Sequence, residues 1–281
     1  MQAEPARRLA VLGSPIAHSK SPLLHAAAYR ELDLPWSYEA IELVSDDLAG
    51  FLAGRDAEWL GLSLTMPLKR EVLPLLDHRH ELVTQTGSAN TVLFDSRHRS
   101  WGFNTDVYGI AQAFQRHGHR ELSAVQILGG GATAASAIAA VGRLGARSVL
   151  VSVRSPERAT GLVAVGGSLG VEVTIGSLED AAAPATVPDA IISTLPNGAE
   201  HELRFDDATV ERSILFDVAY SPWPTTLAQR WGGGEVIGGL EMLVLQALVQ
   251  VRIFFSGKPE LAVPDEERVL SAMYESVGLH R

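Results

Sequence analysis

The chain has 281 residues, 46% of them hydrophobic, and its 33 acidic against 23 basic residues give a formal charge of -10. That length supports two packed cores, and the acidic balance speaks against a nucleic-acid surface. With no Cys, disulfides and Cys-bound zinc or iron–sulfur clusters are excluded; the apolar run Leu9 to Leu12 is too short for a signal peptide, no stretch approaches a membrane span, and a cytoplasmic location is expected.

Strand-like and helix-like segments alternate almost throughout, the pattern of an α/β protein with parallel sheets and crossover helices. Leu9 to Leu12 reads as a short strand that opens into Gly13-Ser14-Pro15-Ile16-Ala17-His18-Ser19-Lys20-Ser21-Pro22. Ser21 before Pro22 carries the signature of an N-cap followed by an N1 proline. Ser19 has no such role, and two hydroxyls beside a helix N-terminus suit a polyhydroxylated or anionic ligand. Trp36 to Leu43 alternates as a strand, and Asp46 to Leu52 forms a short helix. Trp59 to Leu64 is apolar enough for a strand covered on both faces, with Thr65 as the N-cap of the next helix and Pro67 in its first turn. Lys69 then falls at the positive end of a helix dipole, the wrong end for a cation. It either reaches past the helix to solvent or serves proton chemistry.

Gly87-Ser88-Ala89-Asn90-Thr91 leads into a strand, Val92 to Phe94, and a hairpin return through Trp101-Gly102-Phe103-Asn104-Thr105-Asp106. Alone, Asn90 reads as turn chemistry and Asp106 as the N-cap of the helical run Val107 to Phe114. Together with Lys69 they also fit the edge where strands end and helices begin, which is where α/β proteins place ligands.

In the second half, the strand Ala124 to Leu128 is followed by Gly129-Gly130-Gly131-Ala132-Thr133-Ala134 and an alanine-rich helix to Leu144. Gly129-x-Gly131-x-x-Ala134 between strand and helix is the dinucleotide fingerprint, with the pyrophosphate at the helix N-terminus. After the next strand, Ser148 to Val153, an NAD site would place an acid. Here stand Arg154, Ser155 and Arg158, two guanidiniums and a hydroxyl suited to a 2′-phosphate, so NADP is expected. The strand Asp189 to Thr194 with the loop Leu195-Pro196-Asn197-Gly198, and the strand Ile214 to Val218 with the loop containing Tyr220, belong on the same edge. Thr194 and Gly239 join the expected cofactor-binding residues. A long apolar helix runs from Gly238 to about Phe255; its Gln246 and Gln250, four apart, form a polar stripe expected to face solvent. A last helix begins at Pro264 and Asp265 and reaches about Val277. His78/His80 and His117/His119 are spaced as metal pairs but lack a nearby carboxylate, so they are expected at the surface and no metal is expected. The domain boundaries are expected within helical connections, near Val107 to Ser123 and again near Gly238.

Taken together, these motifs resemble the shikimate dehydrogenase family over essentially the full length. The resemblance rests on the Gly13 to Pro22 loop, Thr65-x-Pro67-x-Lys69, Gly87-x-Ala89-Asn90-Thr91, Gly102-x-Asn104-Thr105-Asp106-x-x-Gly109, the glycine loop, and Gly239-x-x-Met242-Leu243-x-x-Gln246-Ala247. It implies an N-terminal α/β domain for substrate and catalysis, 1–108, completed by the C-terminal helices in 239–281, facing an NADP-binding Rossmann domain, 109–238. It also implies reversible reduction of 3-dehydroshikimate to shikimate on the route to chorismate and the aromatic amino acids. Substrate contacts are implied at Ser19, Ser21, Thr65, Asn90, Asp106 and Gln246 with Tyr220 close by, and Lys69 and Asp106 become the catalytic pair. Chemistry agrees: moving a hydride from a secondary alcohol requires a group that takes the oxygen's proton. No Cys is present to hold a catalytic zinc, and no Tyr has a Lys four residues later, which leaves Lys69.

Ser63 stands where many family members have Asn, and Val153 and Ser155 replace an Asn and a Thr at the adenosine phosphate. A quinate or aminoshikimate dehydrogenase, a folate dehydrogenase of related build, and an NADP-binding regulator without turnover stay as alternatives. The partner is a small molecule, and a homodimer is left open.

Overall fold

The computed structural model describes residues 5–196 and 203–279. Asn197 and Gly198, expected on the cofactor edge, lie outside the described residues. The chain divides into two compact units, one of Met1–Thr105 with Leu243–Arg281 and one of Asp106–Met242.

The first unit runs β1 (Arg7–Gly13), α1 (Ser21–Glu31), β2 (Trp36–Glu42), α2 (Ser45–Gly54), β3 (Trp59–Leu64), α3 (Leu68–Glu71), β4 (His78–Arg79), α4 (Glu81–Thr86), β5 (Thr91–Phe94) and β6 (Ser100–Phe103). Its sheet has the order β2-β1-β3-β5-β6-β4. Strands β1, β2 and β3 are parallel, whereas β5 runs antiparallel to both β3 and β6. The sheet is therefore mixed, with the expected hairpin return supplying the antiparallel pair β5–β6 beside parallel β1, β2 and β3. The reversal is local chemistry: the Asp95 carboxylate accepts the N–H groups of Arg97 and Arg99 at 2.9 and 3.0 Å and closes the β5–β6 hairpin. One consequence reaches the site. Because β5 runs backwards, its first residue lies beside the last residues of β3 and β6. The Leu64 N–H donates to the Asn90 carbonyl at 2.8 Å, and the Asn90 N–H donates to Phe103 at 3.0 Å. Leu12, Leu62, Leu64, Leu68, Val83 and Val92 form the core beneath this edge.

The second unit runs α5 (Asp106–Arg116), β7 (Ala124–Leu128), α6 (Ala132–Arg143), β8 (Ser148–Val153), α7 (Pro156–Ala159), α8 (Gly161–Ser168), β9 (Glu172–Ser177), β10 (Ala190–Ser193), α9 (Asp207–Arg212), β11 (Ile214–Asp217), α10 (Thr226–Arg230) and β12 (Val236–Gly238). Its sheet, β12-β11-β10-β7-β8-β9, is parallel throughout, as expected. Strand order reverses between β7 and β10, which opens the crevice of a doubly wound fold at their carboxyl ends.

Helix α11 (Gly239–Ser256) carries the chain back into the first unit, where α12 (Glu266–Ser276) follows. By length and composition α11 qualifies for crossing a membrane, which corrects the expectation that no stretch approaches a span. It is 67% buried. Gly61 of β3 lies against it so closely that a Cβ there would stand 2.5 Å from the Phe254 ring. Burial of this kind makes it a core helix, and it explains the apolar composition without lipid.

Candidate active site

The loops after β1 and β3 are tied together by their backbones. The Thr65 N–H donates to Leu12, and the Ser14 N–H donates to Met66, both at 2.9 Å. A Cβ on Gly13 would meet the Met66 carbonyl at 2.7 Å, so this crossing requires a residue without a side chain. The expected capping roles of the two serines are exchanged. Ser21 is the first helical residue of α1, with Lys20 as N-cap and no side-chain cap. It is the Ser19 hydroxyl that accepts the Ser21 N–H, at 3.3 Å. The Ser21 side chain is buried.

Lys69 also needs correction. Thr65 does not cap by its side chain; the N-cap of α3 is Pro67, and the helix is four residues long. A single turn has almost no macrodipole, so the dipole gives no reason either for or against a lysine there. The backbone places it instead. The Ala89 N–H donates to the Lys69 carbonyl at 2.8 Å, which sets Lys69 next to the segment that carries Asn90.

Asn90 is the hub of this edge. Its Oδ1 accepts the Thr105 N–H at 2.8 Å and the Thr91 hydroxyl at 2.9 Å. Its Nδ2 donates to Thr105 Oγ1 at 2.9 Å and to Gln246 Oε1 at 3.2 Å. Thr105 Oγ1 also donates to Gln246 Oε1 at 3.1 Å, and Gln246 Nε2 donates to the Leu243 carbonyl at 2.9 Å. Gln246 and Gln250 do not face solvent as the stripe suggested: they are 6% and 2% exposed. Gln250 donates from Nε2 to the Asn90 carbonyl at 3.3 Å and to Thr91 Oγ1 at 3.0 Å. Its Oε1 accepts from Ser63 at 2.9 Å and lies 3.2 Å from His25 Nε2. Thr105, Thr91, His25 and Gln250 were not among the expected site residues. Thr91 and Thr105 adjoin Asn90 and Asp106 in sequence, and that adjacency was the signal available; Gln250 was marked only by its spacing from Gln246, and His25 by nothing local.

Asp106 follows Thr105 directly and is the first residue of α5, inside the helix where an N-cap was expected. It is 3% exposed, at the helix end whose free N–H groups favour a carboxylate. Tyr220, after β11, is partly buried, and desolvation holds its phenol above the usual range.

In the second unit, the glycine loop lies at the topological reversal. Gly129 has φ +103°, and a Cβ there would stand 2.6 Å from Thr194 Oγ1. Thr194 is itself anchored, with N–H and hydroxyl both donating to the Leu128 carbonyl at 2.8 and 2.9 Å. Gly131 is the N-cap of the twelve-residue α6, so the backbone from Ala132, Thr133 and Ala134 presents the N–H groups that a pyrophosphate takes. Gly130 rests on Val153, whose Cγ1 would be 3.0 Å from an added Cβ. Arg154 and Arg158 are exposed and make no ion pair among the described residues, and Ser155 makes no side-chain cap to α7. An adenosine 2′-phosphate would meet uncommitted groups there. Gly239 opens α11 against Val218. The residues present fit a dinucleotide with a 2′-phosphate.

The histidine pairs resolve differently from each other. His78 stacks on Trp101 at 4.0 Å, and His80 caps α4. His117 and His119 do have carboxylate partners, contrary to the sequence reading: His117 Nε2 is 2.8 Å from Glu241 and His119 Nε2 is 2.9 Å from Glu235. Those glutamates lie more than a hundred residues away in the chain, which hid them. Among the described residues, no group of three or more such side chains is placed to hold a metal ion.

The profile of the shikimate dehydrogenase substrate binding domain matches residues 11–92. Shikimate dehydrogenase (NADP(+)) of Sphingopyxis alaskensis is 31% identical over 265 residues, 92% of this chain and 95% of that protein. Among solved structures, Mycobacterium tuberculosis shikimate dehydrogenase superposes with a TM-score of 0.83 at 36% identity, over 96% of this chain and 99% of the other. The Thermus thermophilus enzyme in complex with NADP(H) and shikimate gives 0.78 at 30% identity, over 96% and 99%.

Proposed function

The chain belongs to the shikimate dehydrogenase family, and from that premise we propose that Lys69 carries the proton of the reaction while Asp106 orients it. The protein is an NADP-dependent oxidoreductase acting on a CH–OH group, interconverting shikimate and 3-dehydroshikimate. In this reading the unit built from Met1–Thr105 and Leu243–Arg281 takes the substrate, and the unit Asp106–Met242 takes the cofactor.

Bound NADP supplies the hydride acceptor of the oxidation and the hydride donor of the reduction. The chain's own residues manage the proton and the pose. In the oxidation, the Lys69 amine takes the hydroxyl proton as the carbon gives up its hydride; in the reduction, the ammonium returns a proton to the ketone oxygen. Asp106 holds the reacting hydroxyl and the lysine in register. Ser19, Ser21, Thr65 and Tyr220 offer hydroxyls to the substrate's carboxylate and remaining hydroxyls. Asn90 Nδ2 donates to Thr105 and Gln246, while Gln246 Nε2 gives one proton to Leu243 and offers its second to a substrate oxygen. Gly129, Gly130, Gly131, Ala132, Thr133, Ala134, Thr194 and Gly239 take the dinucleotide, and Arg154, Ser155 and Arg158 take the 2′-phosphate. We place the enzyme in the cytoplasm.

The observation that carries the residue assignment is the bond from the Ala89 N–H to the Lys69 carbonyl, which brings a lysine beside the Asn90 hub. Initial rates followed by cofactor absorbance, with shikimate or quinate crossed against NADP or NAD, test the reading. Turnover with shikimate and NADP is expected. Quinate turnover would reassign the substrate, and NADP binding without turnover would make the chain a regulator.

A further inference from the structure

Behind Asn90 lies a chain of polar groups that the reaction itself does not use, the buried Tyr29, His25, Gln250, Ser63 and Thr91 and the half-buried Tyr38. We propose that Gln250 and Thr91 are positioning residues that fix which end of the Asn90 carboxamide meets the substrate. The proposal rests on the reading of Asn90 as a substrate contact.

The argument starts from one atom that can only accept. The Asn90 backbone carbonyl lies 3.3 Å from one end of the Gln250 amide, so that end must be Nε2. The same Nε2 reaches Thr91 Oγ1 at 3.0 Å, so the Thr91 hydroxyl accepts from Gln250 and its own proton is free to point elsewhere. It points to Asn90 Oδ1, 2.9 Å away. The Asn90 oxygen, which the Thr105 N–H also holds at 2.8 Å, thereby gains a second donor, and Nδ2 is turned toward Gln246. On its other side, Gln250 presents Oε1, which takes the Ser63 proton at 2.9 Å and leaves His25, at 3.2 Å, to donate from Nε2. His25 Nδ1 then accepts from the Tyr29 hydroxyl at 3.0 Å. Ser63, having given its proton, accepts from Tyr38 at 2.6 Å. Every hydroxyl direction in the chain follows from one carbonyl.

Burial is what gives this ordering its force. Gln250 is 2% exposed, and Thr91 and His25 are wholly buried, so no water can replace a lost donor without cost. Burial also holds the His25 imidazole down to about 3, which keeps one ring nitrogen a donor and the other an acceptor at neutral pH. Ser63 serves here as the middle link between a tyrosine and a glutamine, which gives that departure from the usual Asn a structural role.

The test is steady-state kinetics on the full chain with NADP⁺ and shikimate. Thr91→Val keeps the volume and removes the proton given to Asn90, while Thr91→Ser keeps the hydroxyl; Gln250→Met removes both donors. Loss of one buried hydrogen bond corresponds to about a tenfold change in binding. Thr91→Val and Gln250→Met are expected to raise the KM for shikimate by about that factor with the KM for NADP⁺ unchanged, and Thr91→Ser to restore it. If Thr91→Val and Thr91→Ser behave alike, or both KM values rise together, the role is merely structural and the proposal falls. Asn90→Ala separates the premise from the inference. Should it leave the shikimate KM unchanged, the assignment of Asn90 fails and takes the proposal with it; should it raise the KM while Thr91→Val does not, only the positioning role is lost. If Gln250→Met fails to fold, the Thr91 pair decides.

Discussion

At the residue scale, Lys69 and His25 show opposite relations between sequence and role. Lys69 stands out as a candidate because it lies in a short run of adjacent residues, Thr65-x-Pro67-x-Lys69. Lys69→Ala is expected to lower kcat by a factor of about 10² to 10⁴, the range for removing a general acid–base group, with NADP⁺ binding retained in fluorescence titration. Near-normal turnover would remove it from the mechanism. His25 carried no signal, because its partners Gln250 and Tyr38 are brought to it by the fold: the ring stacks on Tyr38 with 3.9 Å between centroids. Desolvation, opposed by the Gln250 hydrogen bond, lowers its pKa from 6.5 to about 3. In the unfolded chain it titrates near 6.5, so the unfolded state binds the extra proton first as pH falls. The stability His25 contributes is therefore whole above pH 6.5 and is lost as pH drops toward 3, at about 1.4 kcal/mol per pH unit. Thermal melts of the wild type and His25→Gln at pH 7 and pH 5 are expected to show a smaller acid shift in the variant; equal shifts would contradict the buried neutral imidazole.

At the scale of elements, the glycine loop separates folding from binding. Gly129 has the left-handed backbone and no room for a Cβ beside Thr194, whereas a Cβ on Gly131 would meet nothing within 4 Å. Gly129→Ala is expected to lower stability by about 1–3 kcal/mol and weaken NADP⁺ binding together. Gly131→Ala is expected to leave the melting temperature nearly unchanged while weakening NADP⁺, because its loss is only at the phosphate. Melting curves with and without NADP⁺ distinguish these outcomes. The strand–glycine–helix pattern was legible because strand, turn and helix N-terminus are contiguous, and so was the hairpin. Helix α11 was legible as a helix but misread in its face. Gln250 finds Ser63 and His25 across 187 and 225 residues, and a four-residue spacing within one helix carries no trace of partners so distant. The short turn at Lys69 was misread for the converse reason: cap-like residues were present, but one turn of helix is all they start.

At the scale of the whole molecule, the first unit is assembled from both ends of the chain and the second from its middle. Helix α11 brings Val244, Leu245, Leu248 and Val249 into full burial, and Gln246 and Gln250 into the Asn90 network. A chain stopped after Met242 is expected to keep NADP⁺ binding, read by cofactor fluorescence, and to lose all shikimate turnover. Retained turnover would show that the C-terminal helices are dispensable. The same arrangement sets a schedule for the protein as the ribosome makes it. At roughly 5–20 residues per second, the stretch up to Thr105 emerges several seconds before the helix that shelters its sheet. Meanwhile the middle unit gains its strands one by one, the last of them, β12, just before α11. The segment synthesised first is thus the last to be covered, and during that interval its bare apolar face is the part of the nascent chain most in need of a chaperone.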